Sequence, residues 1–132
     1  RIEIGPRDLE ADQLVLVRRD TNEKLTIKLK DLEKKVEQTL EEIQNNLFKK
    51  AKEYLAKSIV EVHNFSDFLN AIKDKKMPKA LFCGDSGCET NIKDKAEGAI
   101  CRCIPFEQKP AKGNCIQCGS EAKYWAIFGK GY

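Results

Sequence analysis

The sequence predicts an α/β (α+β) fold: a small sheet, a long helix, and then a second, cysteine-bearing α/β unit. Three observations lead to this prediction. Apolar runs of strand length occupy the first thirty positions, a helical repeat of apolar residues follows them, and all six cysteines lie in the last fifty residues. We expect the first unit to span residues 1–57, with the long helix at about 31–57, and the second unit to span residues 58–132.

Three strands are expected in the first unit. Arg1-Ile-Glu-Ile4 alternates polar and apolar residues, and Gly5-Pro6 with the charged residues after it predicts a turn. Leu14-Val-Leu-Val17 is a continuous apolar run typical of a central strand, and Leu25-Thr-Ile-Lys28 alternates again. Because the chain begins with arginine inside a strand, we expect a fragment of a longer protein whose sheet is truncated at its N-terminal side.

The long helix is predicted from the spacing of its apolar residues. Asp31 belongs to the residue types that cap helix N-termini. Apolar residues then recur every three or four positions, and this stripe predicts one helix face buried on the sheet. A coiled-coil seam is the alternative that the same spacing allows. The residues of the stripe are Leu32, Val36, Leu40, Ile43, Leu47, Ala51 and Leu55.

The second unit is expected to hold one further helix and four strands. Ser66 is expected to cap a helix that runs to about Lys75. His63 has no partner in the sequence and is expected at a surface or strand end rather than as a ligand or base. The strands are expected at residues 59–62, 79–82, 100–104 and 122–128. The side chains expected in the core are Phe68, Leu69, Ile72, Tyr124, Trp125 and Phe128.

Two close cysteine pairs flank a segment of twenty-six residues. Four residues separate Cys83 from Cys88, and two separate Cys115 from Cys118. Each pair can form a short turn that delivers two sulfurs to one tetrahedral metal ion, and the glycines after the first and last of these cysteines tolerate the backbone curl. These four residues are therefore the candidate ligands of a structural zinc ion in a closed site that performs no chemistry.

Two other interpretations of the cysteines stay open, because six thiols can also form disulfides or remain free. The lysine- and glutamate-rich composition resembles that of cytoplasmic proteins, which disfavours disulfides. Cys101 and Cys103 lie two apart and are expected to face the same side of a strand, as small core residues or redundant sulfurs.

The charge balance permits nucleic-acid binding without requiring it. Lysine and arginine number 24 against 21 aspartates and glutamates, giving a formal net charge of +3. No apolar run approaches the length of a membrane span, and no membrane partner is expected. The sequence contains no glycine-rich phosphate loop and no nucleophile–base pair, so no catalytic residue is expected in this chain.

Several motifs, in order along the whole chain, resemble one protein family. They are Arg1-Ile-Glu-Ile-Gly-Pro-Arg-Asp-Leu9, Leu81-Phe-Cys-Gly-Asp85 with Cys88-Glu89, Arg102-Cys-Ile-Pro-Phe-Glu107 and Phe128-Gly-Lys-Gly-Tyr132. The chain is similar to the C-terminal part of prolyl-tRNA synthetases of the archaeal/eukaryotic type. The resemblance implies a truncated anticodon-binding domain joined by the long helix to a C-terminal zinc-binding domain.

The family attaches proline to tRNA at the expense of ATP. The resemblance implies that ATP and Mg²⁺ belong to a catalytic domain outside this chain, that a homodimer forms through that domain, and that the protein is cytoplasmic. It also implies that this piece binds the anticodon loop of tRNA, not DNA, and is inert as a ligase by itself. The alternative is a freestanding zinc-ribbon module, either RNA-binding or purely structural, with no enzymatic parent.

By similarity, the residues at the anticodon are Arg1, Arg7, Asp8 and Lys24. A carboxylate can accept from the N–H groups of a guanine, and arginine or lysine can donate to its oxygen and nitrogen acceptors. Capping of the turn by Asp8 or pairing of Asp8 with Arg7 are the competing interpretations. The resemblance also implies that Cys83, Cys88, Cys115 and Cys118 hold the zinc, and that the terminal Tyr132 has a positioning role.

Overall fold

The computed structural model describes residues 1–131, and the prediction for Tyr132 lies outside them. The chain divides into two compact units, Arg1–Tyr54 and Leu55–Tyr132. Both units combine helices with a sheet, so the predicted α/β (α+β) class is confirmed. None of the helices in the described part of the chain is long and apolar enough to cross a membrane.

The first unit is built on a three-stranded antiparallel sheet with the strand order β1-β2-β3. The central strand carries the buried side chains Leu14 and Leu16, which are 1% and 5% exposed. All three strands lie where the sequence predicted them. The elements are β1 (Ile2–Glu3), α1 (Pro6–Glu10), β2 (Gln13–Val17), β3 (Lys24–Lys28), a 3-10 turn (Leu29–Asp31) and α2 (Leu32–Ser58).

The turn predicted after Gly5-Pro6 is instead the short helix α1. Pro6 occupies its first position, where the fixed φ suits a helix and the missing N–H is not needed. Oδ2 of Asp8 accepts a hydrogen bond from Gly5 N at 2.9 Å, while Asp8 N donates to Gly5 O at 3.0 Å. Asp8 therefore caps this helix, which is one of the two interpretations that compete with a role in guanine recognition.

The predicted burial of the α2 stripe is wrong for its later residues. Leu40, Leu47 and Leu55 are 60%, 51% and 52% exposed, whereas Thr39 is buried and donates its hydroxyl to Lys35 O at 2.7 Å. A helix of 27 residues is about 40 Å long, and strands of five residues span only about 17 Å. The sheet of the first unit is thus too short to cover the whole stripe.

The second unit contains a four-stranded sheet with the strand order β4-β5-β7-β6. Helix α3 connects the parallel strands β4 and β5, and the other pairs are antiparallel. Phe128 lies at the centre of the core, with ring centroids 5.2 Å from Phe68 and 5.5 Å from Phe82. The elements are β4 (Ile59–Glu61), α3 (Phe65–Lys73), β5 (Met77–Phe82), α4 (Ser86–Lys95), β6 (Ala99–Cys103) and β7 (Tyr124–Lys130).

Two local predictions in the second unit are corrected. Asn64, not Ser66, caps α3, and its Oδ1 accepts from Asp67 N at 2.8 Å. The paired strands shift register between Cys101 and Cys103, so the simple alternation of sides does not apply to them. Cys101 packs against the core, whereas Cys103 is exposed.

The aromatic residues of β7 divide between core and surface. Trp125 is 6% exposed and Phe128 is fully buried, as expected, but Tyr124 is 38% exposed. His63 lies two residues beyond the end of β4, and its side chain is 70% exposed beside Glu61, as expected of a residue near a strand end.

Candidate functional site

Four cysteines converge at the C-terminal end of β5. The sulfurs of Cys83, Cys88, Cys115 and Cys118 all lie within 4.8 Å of one another. The Cys83 and Cys118 sulfurs are 3.9 Å apart. A zinc ion that binds thiolates at about 2.3 Å places neighbouring sulfurs of a tetrahedron roughly 3.8 Å apart. The spacing of these four sulfurs therefore fits a tetrahedral zinc ion.

The first pair of cysteines is positioned by a strand end and a helix start. Cys83 directly follows β5, and Cys88 lies in the first turn of α4. Asp85 caps that helix, and its Oδ1 accepts from Cys88 N at 3.0 Å. Helix α4 was not predicted from the sequence. The local pattern that could have revealed it is Asp85 followed by Cys88 and Ile92, which are one turn apart and both buried.

The second pair is held by a turn that is bonded back to β5. Gly119 N donates to Cys115 O at 3.0 Å, which closes the turn. Ile116 N donates to Leu81 O at 2.9 Å, so a hydrogen bond attaches the turn to β5, the strand that precedes Cys83. The backbone of one strand therefore fixes the distance between the two pairs.

Both glycines that follow cysteines of the cluster adopt positive φ, as predicted. Gly84 has φ of 82° and Gly119 has φ of 73°. A side chain at either position would strain the backbone. A Cβ at Gly84 would also meet Cε2 of Tyr124 at 2.9 Å.

The thiols of the cluster differ in acidity. Burial raises the pKa of Cys83 and of Cys88, whereas the hydrogen bond from Ser120 lowers the pKa of the exposed Cys118 to about 6. Three of the four sulfurs are buried, and a metal ion would have to displace the protons of the buried thiols. All six cysteines of the chain are free thiols in the structure.

Two of the four predicted RNA-binding residues, Arg1 and Lys24, lie on one face of the first sheet. In the antiparallel register Arg1 and Glu3 share a face with Lys24, Thr26 and Lys28. Glu3 joins the two predicted cations, since its carboxylate is 2.5 Å from Arg1 Nη2 and 3.7 Å from Lys24 Nζ. Arg1 and Lys24 thus form one cluster.

Asp8 and Arg7 lie at the other end of the same sheet. Oδ1 of Asp8 accepts from the amide of Gln13 at 3.4 Å, and Gln13 pairs with Lys28 across β2 and β3. The Arg7 side chain is exposed and has no hydrogen bond or ion pair with any residue from 1 to 131, so it does not pair with Asp8. The two ends are roughly 13 Å apart along the strand.

Two polar residues on this face were not predicted from the sequence. Gln13 and Lys28 stand on it beside the predicted residues, because odd positions of β2 and even positions of β3 point the same way. The period-two alternation of Lys24 to Lys28 could have revealed Lys28.

Comparisons with known proteins agree with this architecture. Residues 65–132 match the family model described as "Prolyl-tRNA synthetase, C-terminal", and residues 1–39 match "Anticodon binding domain". A proline–tRNA ligase 2 of Bacillus cereus (strain ZK / E33L) is 43% identical over 134 residues, and a proline–tRNA ligase of Lachnoclostridium phytofermentans is 39% identical over 133. Both alignments cover 100% of this chain and 28% of the relative.

A solved structure is similar over the whole chain. It is a crystal structure of prolyl-tRNA synthetase from Cryptosporidium parvum complexed with halofuginone and AMPPNP, with a TM-score of 0.92 and 37% identity. The match covers 100% of this chain and 28% of the other. The two matched models define the class: an anticodon-binding region followed by the C-terminal region of an aminoacyl-tRNA synthetase. The chain belongs to the prolyl-tRNA synthetase family, as a C-terminal part, which confirms the resemblance drawn from the sequence.

Proposed function

We propose that this chain recognises the anticodon of proline tRNA as the non-catalytic C-terminal part of a proline–tRNA ligase. The observation that carries the proposal is the shared sheet face of Arg1 and Lys24, with Asp8 joined to it through Gln13. This face lies within residues 1–39, which match the anticodon-binding domain.

The two ends of the face suit the two adjacent guanines of a proline anticodon. At one end Arg1 and Lys24 offer donors for guanine oxygen and nitrogen acceptors. At the other end Asp8 offers acceptors for guanine N–H groups, and the exposed Arg7 is next to it in the chain. Because roughly 13 Å separates the ends, a single base cannot contact both, and unstacked bases of a loop can reach each in turn.

In this proposal Asp8 both caps helix α1 and accepts hydrogen bonds from a guanine. Its carboxylate accepts one hydrogen bond from Gly5 and one from Gln13, and an ionised carboxylate has about four acceptor positions. The cap orients the carboxylate and leaves acceptor positions for a guanine.

We also propose that Cys83, Cys88, Cys115 and Cys118 bind one structural Zn²⁺ that holds the second unit together. In the parent enzyme, ATP, Mg²⁺ and proline would bind a catalytic domain in the part of the relatives that this chain does not span. That domain would also form the homodimer, and the enzyme would act on tRNA in the cytoplasm.

The test of anticodon recognition is the binding of RNA hairpins that carry a proline anticodon or one with a single guanine replaced. We expect Asp8→Asn to reduce discrimination at one guanine by about 1–3 kcal/mol, because the amide keeps one acceptor for Gly5 but loses the paired carboxylate oxygens. Fluorescence anisotropy of labelled hairpins measures the effect.

The matched control is Asp67→Asn, because Asp67 is the third residue of α3, as Asp8 is of α1, and its carboxylate accepts a hydrogen bond from the side chain of the N-cap Asn64. It should leave the discrimination unchanged. If Asp8→Asn weakens all hairpins equally, then Asp8 only caps the helix. If the unsubstituted chain does not prefer the proline anticodon, then anticodon recognition by this chain is wrong.

A further inference from the structure

We propose that the cleft between α2 and the free edge of β3 binds the phosphodiester backbone of the RNA strand whose bases the sheet face reads. This inference rests on the proposed anticodon recognition and adds a second contact surface to it. The cleft is open, has a volume of about 460 Å³, and is lined by Thr26, Ile27, Lys28, Asp31, Lys34, Lys35 and Gln38.

The cleft is positively charged, and its positive charges are available. Three lysines face one aspartate, and none of the three ammonium groups forms an ion pair with a residue between 1 and 131. Glu42, one helical turn beyond Gln38, does not neutralise them because its carboxylate is held by Arg18 Nη1 at 2.5 Å. A polyanion would thus meet uncompensated lysines in this cleft.

The strand edge supplies further hydrogen-bond donors. β3 is an outer strand of the sheet, and Leu29 N donates inward to Asp12 O at 3.2 Å. Because alternate residues of an antiparallel strand bond to one neighbour, the N–H groups of Thr26 and Lys28 point to the free edge. Phosphate oxygens accept hydrogen bonds from backbone N–H groups and from lysine alike.

The cleft adjoins the face on which the bases are proposed to lie. Thr26 and Lys28 belong to both surfaces, since they share a sheet face with Lys24 and also line the cleft. A strand with its bases against the face can therefore place its phosphates around the edge of β3.

Lysines can also protect a free strand edge from pairing with a second strand. Of the three lysines that line the cleft, only Lys28 belongs to the strand itself, whereas Lys34 and Lys35 approach from α2. Their convergence on one cleft from two elements favours a bound anion over simple protection of the edge.

The test is the salt dependence of hairpin binding by the triple variant Lys28→Gln, Lys34→Gln, Lys35→Gln. Each lost phosphate contact to a single-stranded region lowers the slope of log K against log salt by about 0.7, so we expect a total fall of about 2. Affinity should fall equally for the proline hairpin and for a hairpin with one guanine replaced, because phosphates carry no sequence information.

The control is the triple variant Lys49→Gln, Lys50→Gln, Lys52→Gln, which removes the same charge from the exposed later half of α2. This control variant should keep most of the slope of log K against log salt that the unsubstituted chain shows. The single variant Lys34→Gln, at an exposed position, should lower the slope by about 0.7 even if the triple variant folds poorly.

Equal slopes for the two triple variants would overturn the backbone contact, and so would a selective loss of binding to the proline anticodon. The proposed anticodon recognition fails separately: in that case the unsubstituted chain binds both hairpins equally, while the cleft variant still lowers the salt slope for both.

Discussion

Gly84 and Gly119 both have positive φ beside a cysteine of the cluster, but their surroundings differ. At Gly119 a Cβ would meet nothing within 4 Å, whereas at Gly84 it would meet the Tyr124 ring at 2.9 Å. The two positions therefore separate the cost of backbone strain from the cost of crowding.

Alanine at these glycines should destabilise the second unit to different extents. We expect Gly119→Ala to cost about 1 kcal/mol, because of the left-handed backbone alone. Gly84→Ala should cost about 1–3 kcal/mol more, because Tyr124 must move. Urea unfolding followed by the emission of Trp125, the single tryptophan, measures both. Equal losses for the two variants would show that Tyr124 yields freely.

At the scale of elements, one buried acid ties the β2–β3 hairpin to α2. The Asp20 side chain is 2% exposed, accepts from Arg18 Nη2 at 2.9 Å and Nε at 3.1 Å, and accepts from Asn46 at 2.6 Å. The hydrogen bonds from Arg18, and to a smaller extent the one from Asn46, hold the pKa of Asp20 well below its ordinary value of 3.8. The ionised form is therefore the one that joins the two elements.

This link predicts a pH dependence of the first unit. Because the pKa of Asp20 is lower in the folded than in the unfolded chain, its stabilising contribution is complete above about pH 4 and is lost as the pH falls through the folded value. The urea midpoint for melting of α2, followed by circular dichroism, should fall below pH 4 more steeply in the unsubstituted chain than in Asp20→Asn. The control is Glu97→Gln, which removes an exposed pair with Lys130.

Identical acid profiles for Asp20→Asn and the unsubstituted chain would contradict the role of this link. Added salt should remove the small contribution of the exposed Glu97–Lys130 pair to the urea midpoint. The contribution of Asp20 should persist in salt, because screening acts mainly on exposed charges.

An element could be predicted from the sequence where its own residues carry a clear hydrophobic pattern. The outer strands of the first unit were predictable from hydrophobic alternation, and the central strand from a continuous apolar run. Helix α4 was not, because its buried face amounts to Cys88 and Ile92, too few residues to produce a periodic pattern. The stripe of α2 was visible, but burial of Leu47 depends on the length of the sheet, which the stripe does not encode.

For the molecule as a whole, the four cysteines could be predicted as a cluster from spacing alone. Pair spacing determines the local turns, and the glycines at positive φ followed from the same argument. The sheet face was harder, because it depends on the register that brings Arg1 beside Lys24 through Glu3 and on the Gln13 bridge to Asp8. No local pattern in the chain specifies those contacts between separate strands.

The predicted zinc site determines two properties of the whole molecule, its metal content and the number of its reactive thiols. Protein purified without chelator should contain one zinc ion per chain, with Cys101 and Cys103 as the only readily titrated thiols, because the other four sulfurs would be bound to metal. Elemental analysis and thiol titration measure this. Cys115→Ser should abolish zinc binding, and the matched control Cys103→Ser should retain one ion, because Cys103 lies outside the cluster.

Removal of zinc should unfold the second unit before the first, since structural zinc contributes directly to folding. Trp125, now 6% exposed, should then shift its emission to longer wavelength, while the helical signal of α2 should persist in part. Protein with no metal and six equally reactive thiols would contradict the site. Protein with no metal and no free thiols would instead establish disulfides, which the separation of 3.9 Å between the Cys83 and Cys118 sulfurs does not support.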